Sequence, residues 1–132
     1  MPVYLSLISD EGFELKSNEF ENRKAILGYD LYPPNEPGTN TPMQLWAGVL
    51  SFNISISNAA SQVNLVVKAG GIELKRYSFT NQTIHAMQEV FYGQESLKAG
   101  RNVIEFEIVD TPMTETGVIK ISDAVVYYST YP

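Results

Sequence analysis

Gly100-Arg-Asn-Val-Ile-Glu-Phe-Glu-Ile-Val-Asp110 and Val118-Ile-Lys-Ile-Ser-Asp-Ala-Val-Val-Tyr-Tyr128 are the two segments whose reading decides the fold class. In the first, Ile104, Phe106 and Ile108 alternate with Glu105 and Glu107, the period of a strand with one dry and one wet face. The second opens the same way, with Ile119 and Ile121 flanking Lys120. Taken as one hairpin closed by Asp110–Gly117, with Val109 opposite Val118, they bring Ile108 to Ile119, Glu107 to Lys120, Phe106 to Ile121 and Ile104 to Asp123. The last pair is out of place, because a carboxylate on a dry face needs donors. Either a bulge near Ser122 shifts the register and keeps Val125 and Tyr127 inside, or Asp123 turns inward, for structure or to hold a ligand.

The same signal recurs upstream. Val3, Leu5 and Leu7 alternate weakly, Asp10-Glu-Gly12 reads as a turn, and Phe13 to Gly28 reads as strand, loop, strand. Trp46, Leu50, Phe52, Ile54 and Ile56 fall on one side of a long strand, with Ser51, Asn53, Ser55 and Ser57 on the other. Asn58 to Gln62 turns the chain, Val63, Leu65 and Val67 form the next inward set, and Ala69-Gly-Gly71 supplies a tight reversal into Ile72–Phe79. Thr83 to Leu97 fits a helical stripe through Ile84, Met87 and Phe91, or a strand through Ile84, Ala86, Val90 and Tyr92. The strands on both sides and the break at Gly93 favour the strand. With a further turn at Leu97–Asn102, the pattern is about eight strands separated by turns every ten or so residues. The expectation is one all-β domain over 1–132, an antiparallel, jelly-roll-like β-sandwich.

Bulk properties narrow the function classes. The 132 residues carry no cysteine, which excludes disulfides and thiol chemistry. A formal net charge of −6 with nine scattered Lys and Arg opposes nucleic acid and anionic membrane as partners. No apolar run approaches the roughly 20 residues of a membrane helix, and Met-Pro-Val-Tyr lacks the basic start of a signal peptide. The expected setting is cytoplasmic, or export as part of an assembly. His85 is the only histidine, so multi-histidine metal sites are excluded. Asp110 with Glu115, or Asp10 with Glu11 and Glu14, lack the spaced oxygen ligands of a calcium loop. No catalytic group, cofactor or metal is expected.

Two surfaces remain as binding candidates. Pro33-Pro-Asn-Glu-Pro-Gly-Thr-Asn-Thr-Pro42 holds four prolines and reads as an exposed loop. Tyr29, Tyr32 and Trp46 surround it, and aromatic faces beside Asp30, Asn35 and Asn40 are how a sheet edge holds a sugar ring: C–H groups stack while amides and carboxylates bind hydroxyls. Trp46 has a second reading, since the dry side of its strand places it in the core, whereas Tyr32 is expected to be exposed. The other surface is the uncharged ladder Ser51, Asn53, Ser55 and Ser57, suited to a sugar or to another subunit's sheet.

Phe91 to Tyr128 resembles the C-terminal part of galactose-binding-like jelly rolls and related carbohydrate-binding modules. The resemblance rests on Leu97 with Gly100, the strand Val103–Ile108, Ile119 with Ile121, and Asp123 with Val125 and Val126. It implies a non-catalytic glycan-binding module and, lying in scaffold strands, carries over no binding residue. The expected function is therefore carbohydrate recognition by loop and edge aromatics. The alternative is a structural role in which sheet faces or edge strands join copies of the chain into a homo-oligomer or a larger complex.

Overall fold

Every segment with period-two alternation is a strand in the computed structural model, which describes residues 3–9, 12–57, 62–79, 84–93, 97–114 and 116–130. The strands are β1 (Val3–Ser9), β2 (Phe13–Lys16), β3 (Lys24–Leu31), β4 (Leu45–Ser57), β5 (Val63–Ala69), β6 (Ile72–Phe79), β7 (Ile84–Gly93), β8 (Gly100–Val109) and β9 (Val118–Thr130), with a short 3-10 turn at Phe20–Asn22. All ladders are antiparallel. One sheet, A, runs β1-β9-β4-β7 with β2 also on β9, and the other, B, runs β3-β8-β5-β6. β1 and β2 pair with successive stretches of β9, so together they act as one interrupted edge strand. The chain changes sheet at every connection except β1 to β2 and β5 to β6, which makes the sandwich a jelly roll. The β5–β6 reversal uses Gly70 and Gly71 at φ 58° and 83°, values that cost an L side chain and not glycine.

The expected β8–β9 hairpin does not exist. β8 pairs with β3 and β5 in sheet B, whereas β9 pairs with β1, β2 and β4 in sheet A. Alternation reports only that each strand has a dry face, and that holds equally when two strands face each other across a core. The Asp110–Gly117 connection instead spans the roughly 10 Å between packed sheets. Side chains fasten this crossing: Arg23 donates to the carbonyls of Ser17 (3.1 Å) and Thr111 (2.7 Å), and the Gly117 N–H donates to Ser17 Oγ (2.8 Å).

The core lies between the inner faces. Leu50, Phe52, Ile54 and Ile56 of β4 and Ile119, Ile121 and Val126 of β9 meet Leu65, Val67, Ile104, Phe106 and Ile108 from sheet B, all buried. Phe52 and Phe106 cross the sandwich edge to face, centroids 5.2 Å apart. Such a pair adds about 0.5–1.5 kcal/mol beyond its buried area.

Two bulges reset which residues face out of sheet A. On β9 the register against β4 steps from Ser51↔Val125 to Asn53↔Ser122, the bulge anticipated near Ser122. Its effect on parity is the reverse of the expectation. Ile119 and Ile121 are followed inside by Ala124, Val126 and Tyr128, while Asp123 is exposed, Val125 is half-buried and Tyr127 is 43% exposed. A bulge adds one residue, so every later side chain changes face. On β4 the register steps from Leu45↔Thr130 to Ala47↔Ser129. Leu45 is buried there and Trp46 is 46% exposed, which overturns the core placement of Trp46.

Candidate functional site

β4 and β9 are the central strands of sheet A, and their outward residues form one surface. Val49 pairs with Tyr127, Ser51 with Val125, Asn53 with Ser122 and Ser55 with Lys120, and Trp46 sits at the bulge next to the Ala47↔Ser129 pair. Trp46 and Tyr127 are thus two rows apart on adjacent strands, on the order of 10 Å given about 3.4 Å per residue and 4.8 Å between strands. Asn53 Nδ2 donates to Asp123 Oδ2 at 3.0 Å, which joins the polar ladder to the bulge. Asp123 holds φ at 54°, a left-handed conformation that Asp and Asn adopt more readily than other L residues because the short side chain can hydrogen-bond locally. Ser51, Asn53 and Ser55 are half-buried; Ser57 pairs with Val118 through its backbone, and its side chain lies outside the described residues.

The sequence candidates divide sharply. Tyr29 is 4% exposed in the core, because β3 points Ala25, Leu27, Tyr29 and Leu31 inward, so its expected place at a binding surface is overturned. Asp30, next along, faces out of sheet B and pairs with Arg101 (3.5 Å), whose guanidinium lies where a side chain at Gly28 would stand. Asp30 is therefore on the opposite side of the sandwich from Trp46. Tyr32 is 78% exposed, as expected. Asn35 and Asn40 are exposed in the proline loop, which is closed by an Asn35–Pro42 bridge and by the Glu36 N–H donating to the Thr41 carbonyl at 2.8 Å; within the loop only Pro33 is buried. The structure thus gathers Trp46, Ser51, Asn53 and Ser55 on one face, leaves Tyr32, Asn35 and Asn40 on the loop leading to it, and removes Tyr29 and Asp30.

Tyr127 was not selected from sequence, nor was Asp123 placed on this face. Both follow from the bulge, and the misfit of Asp123 in the alternation was the only sign of it. The His85 side chain lies outside the described residues. Among the described residues there is no group of three or more His, Cys, Asp or Glu able to hold a metal, and Asp110 accepts from Arg76 at 3.3 Å. A cleft of about 580 Å³ opens between Pro42–Leu45 and Leu97–Ala99, at the end of the sandwich where β4 begins. A second of about 580 Å³ lies beside exposed Phe20 and Ile26 at the β3 edge.

No protein-family model and no curated protein matches the sequence. Solved structures do match in three dimensions. A family 35 carbohydrate-binding module from Clostridium thermocellum superposes with a TM-score of 0.53 at 10% identity, over 96% of this chain and 99% of that one. The fold is a jelly roll shared with carbohydrate-binding modules. A β-porphyranase of glycoside hydrolase family 86 from Bacteroides plebeius gives 0.58 at 14% identity, and dimeric latent PorU from Porphyromonas gingivalis 0.60 at 7%. This chain covers 21% of the porphyranase and 12% of PorU, so it corresponds to one part of each. The resemblance read from the last third of the sequence extends, as a fold, over nearly the whole chain.

Proposed function

We propose that this protein is a non-catalytic carbohydrate-binding module that lays a sugar chain across the outer face of sheet A. One observation carries the reading: Trp46 and Tyr127 are turned out by two bulges onto a face whose remaining residues on β4 are Ala47, Val49, Ser51, Asn53 and Ser55. Aromatic rings stack against the C–H faces of pyranose or furanose rings, and hydroxyl, amide and carboxylate groups meet sugar hydroxyls. The fold shared with the family 35 module is consistent with this, as is the match of the chain to one part of a porphyranase. Tyr32, Asn35 and Asn40, on the loop that enters β4 ahead of Trp46, form the second contact surface.

Affinity electrophoresis through gels containing neutral plant and algal polysaccharides tests the reading. The protein is expected to be retarded by at least one polymer, and Trp46→Ala and Tyr127→Ala to abolish the retardation with an unchanged circular dichroism spectrum. Tyr32→Ala is expected to weaken it. Retardation that survives both sheet-face substitutions would sink the assignment of the face. The competing reading is assembly through Ser51, Asn53 and Ser55. It predicts a particle several times 14.7 kDa in light scattering that Asn53→Arg disperses.

A further inference from the structure

Asp123 is the one acidic residue that β4 and β9 present outward among the described residues, on a face otherwise built from Ser, Asn, Ala, Val, two aromatic rings and Lys120. The left-handed backbone at φ 54° is one that glycine adopts freely and that asparagine and aspartate adopt more readily than other L residues, so the bulge accepts Asp123 without requiring its charge. Among the described residues no ion pair reaches it: Lys120, the only cation on these two strands, lies over Gly12. Asn53 holds one carboxylate oxygen at 3.0 Å. A carboxylate has about four acceptor positions, so the group keeps most of its capacity for other donors.

On the reading that this face binds glycan, we infer that Asp123, oriented by Asn53, selects uncharged sugars bearing adjacent hydroxyls and rejects uronates and sulfated sugars. A hydroxyl donates to the carboxylate in a charge-assisted bond, while its neighbour exchanges bonds with the Asn53 amide. An anionic substituent in the same place meets a fixed negative charge, and the net charge of −6 repels polyanions at longer range.

The experiment compares neutral polysaccharides with polygalacturonate in affinity electrophoresis, using the wild-type chain, Asp123→Asn and Asp123→Gly. Asparagine keeps the backbone preference and an acceptor for Asn53 without the charge; glycine keeps only the backbone. Wild type is expected to be retarded by a neutral polymer and not by polygalacturonate. Asp123→Asn is expected to lose about tenfold in affinity for the neutral polymer, the scale of one charge-assisted bond, and to gain retardation by polygalacturonate. If both variants keep the wild-type selectivity, Asp123 serves only the bulge and the inference is overturned while glycan binding stands. Preference of the wild type for polygalacturonate overturns the inference as well. A wild-type chain retarded by no polymer overturns the glycan reading itself.

Discussion

The outer faces of the two sheets are built on the same alternation and filled in opposite ways. On sheet B, Glu105 stands between Lys24 (3.3 Å) and Lys68 (3.7 Å), Lys68 also reaches Glu107 (3.6 Å), and Arg101 meets Asp30. Gln62, Asn64 and Ser78 extend this face as a hydrogen-bonded strip. These charges meet one another, although Ile26 and Val103 stand exposed among them. On sheet A, β4 and β9 expose indole and phenol rings among mostly short uncharged side chains, with Asp123 and Lys120 the charged exceptions. A ring in water forfeits burial worth about 25 cal/mol per Å², and among the described residues of β4 and β9 there is no ion-pair cluster of the sheet B kind. The difference in composition is what supports the proposal that sheet A, and not sheet B, meets the ligand.

The largest effect expected lies in the layer that both faces share. Phe106→Ala removes the ring packed against Phe52 and Phe13 and should cost about 3–5 kcal/mol in urea denaturation, abolishing any distinction between the faces with the fold. Next comes Trp46→Ala, expected to weaken glycan binding by about 2 kcal/mol, more than tenfold in Kd, with little change in Tm. A large drop in Tm there would mean that the indole is structural after all and would blur the contrast. Glu105→Gln on sheet B should do the reverse: glycan retention intact, stability reduced by about 0.5–1 kcal/mol, and the loss smaller in high salt.

The smallest effect is a pH dependence at the margin of sheet B. Tyr77, half-buried and stacked on Phe79 (5.8 Å), has its phenol pushed above the ordinary range by burial. Because the folded value is raised, the unfolded chain loses its proton first. This stabilisation is complete below the ordinary tyrosine value near 10 and is lost as pH rises through the folded value. Thermal melts at increasing alkaline pH should show a shallower decline for Tyr77→Phe than for wild type. Equal slopes would remove Tyr77 from the account.

Strand positions were legible because period-two alternation is local. Val63, Leu65 and Val67, the Gly70-Gly71 reversal and the strand at Ile84–Gly93 all stand where alternation and turn chemistry put them. The proposed binding face was half legible: the Ser51, Asn53 and Ser55 ladder could be read, since no bulge interrupts β4 between them. Trp46, Tyr29 and Tyr127 could not be assigned correctly from pattern alone, and the reasons differ. Tyr29 shares an inward parity with Leu27 and Leu31 that the neighbouring proline loop obscured, whereas Trp46 and Tyr127 depend on bulges at Leu45–Ala47 and Ser122–Ala124.

The sequence by itself determined that the chain is a sandwich of antiparallel strands with one apolar side each, because burying that side is a property of each strand alone. Only the tertiary structure decided that β8 and β9 face one another across the core instead of pairing, since a dry face is equally satisfied by either arrangement. It also decided which rings and which carboxylate reach the surface of sheet A. A bulge costs the ladder one residue of register, and whether β4 and β9 adopt it depends on the fit of two strands more than sixty residues apart, which no local pattern records.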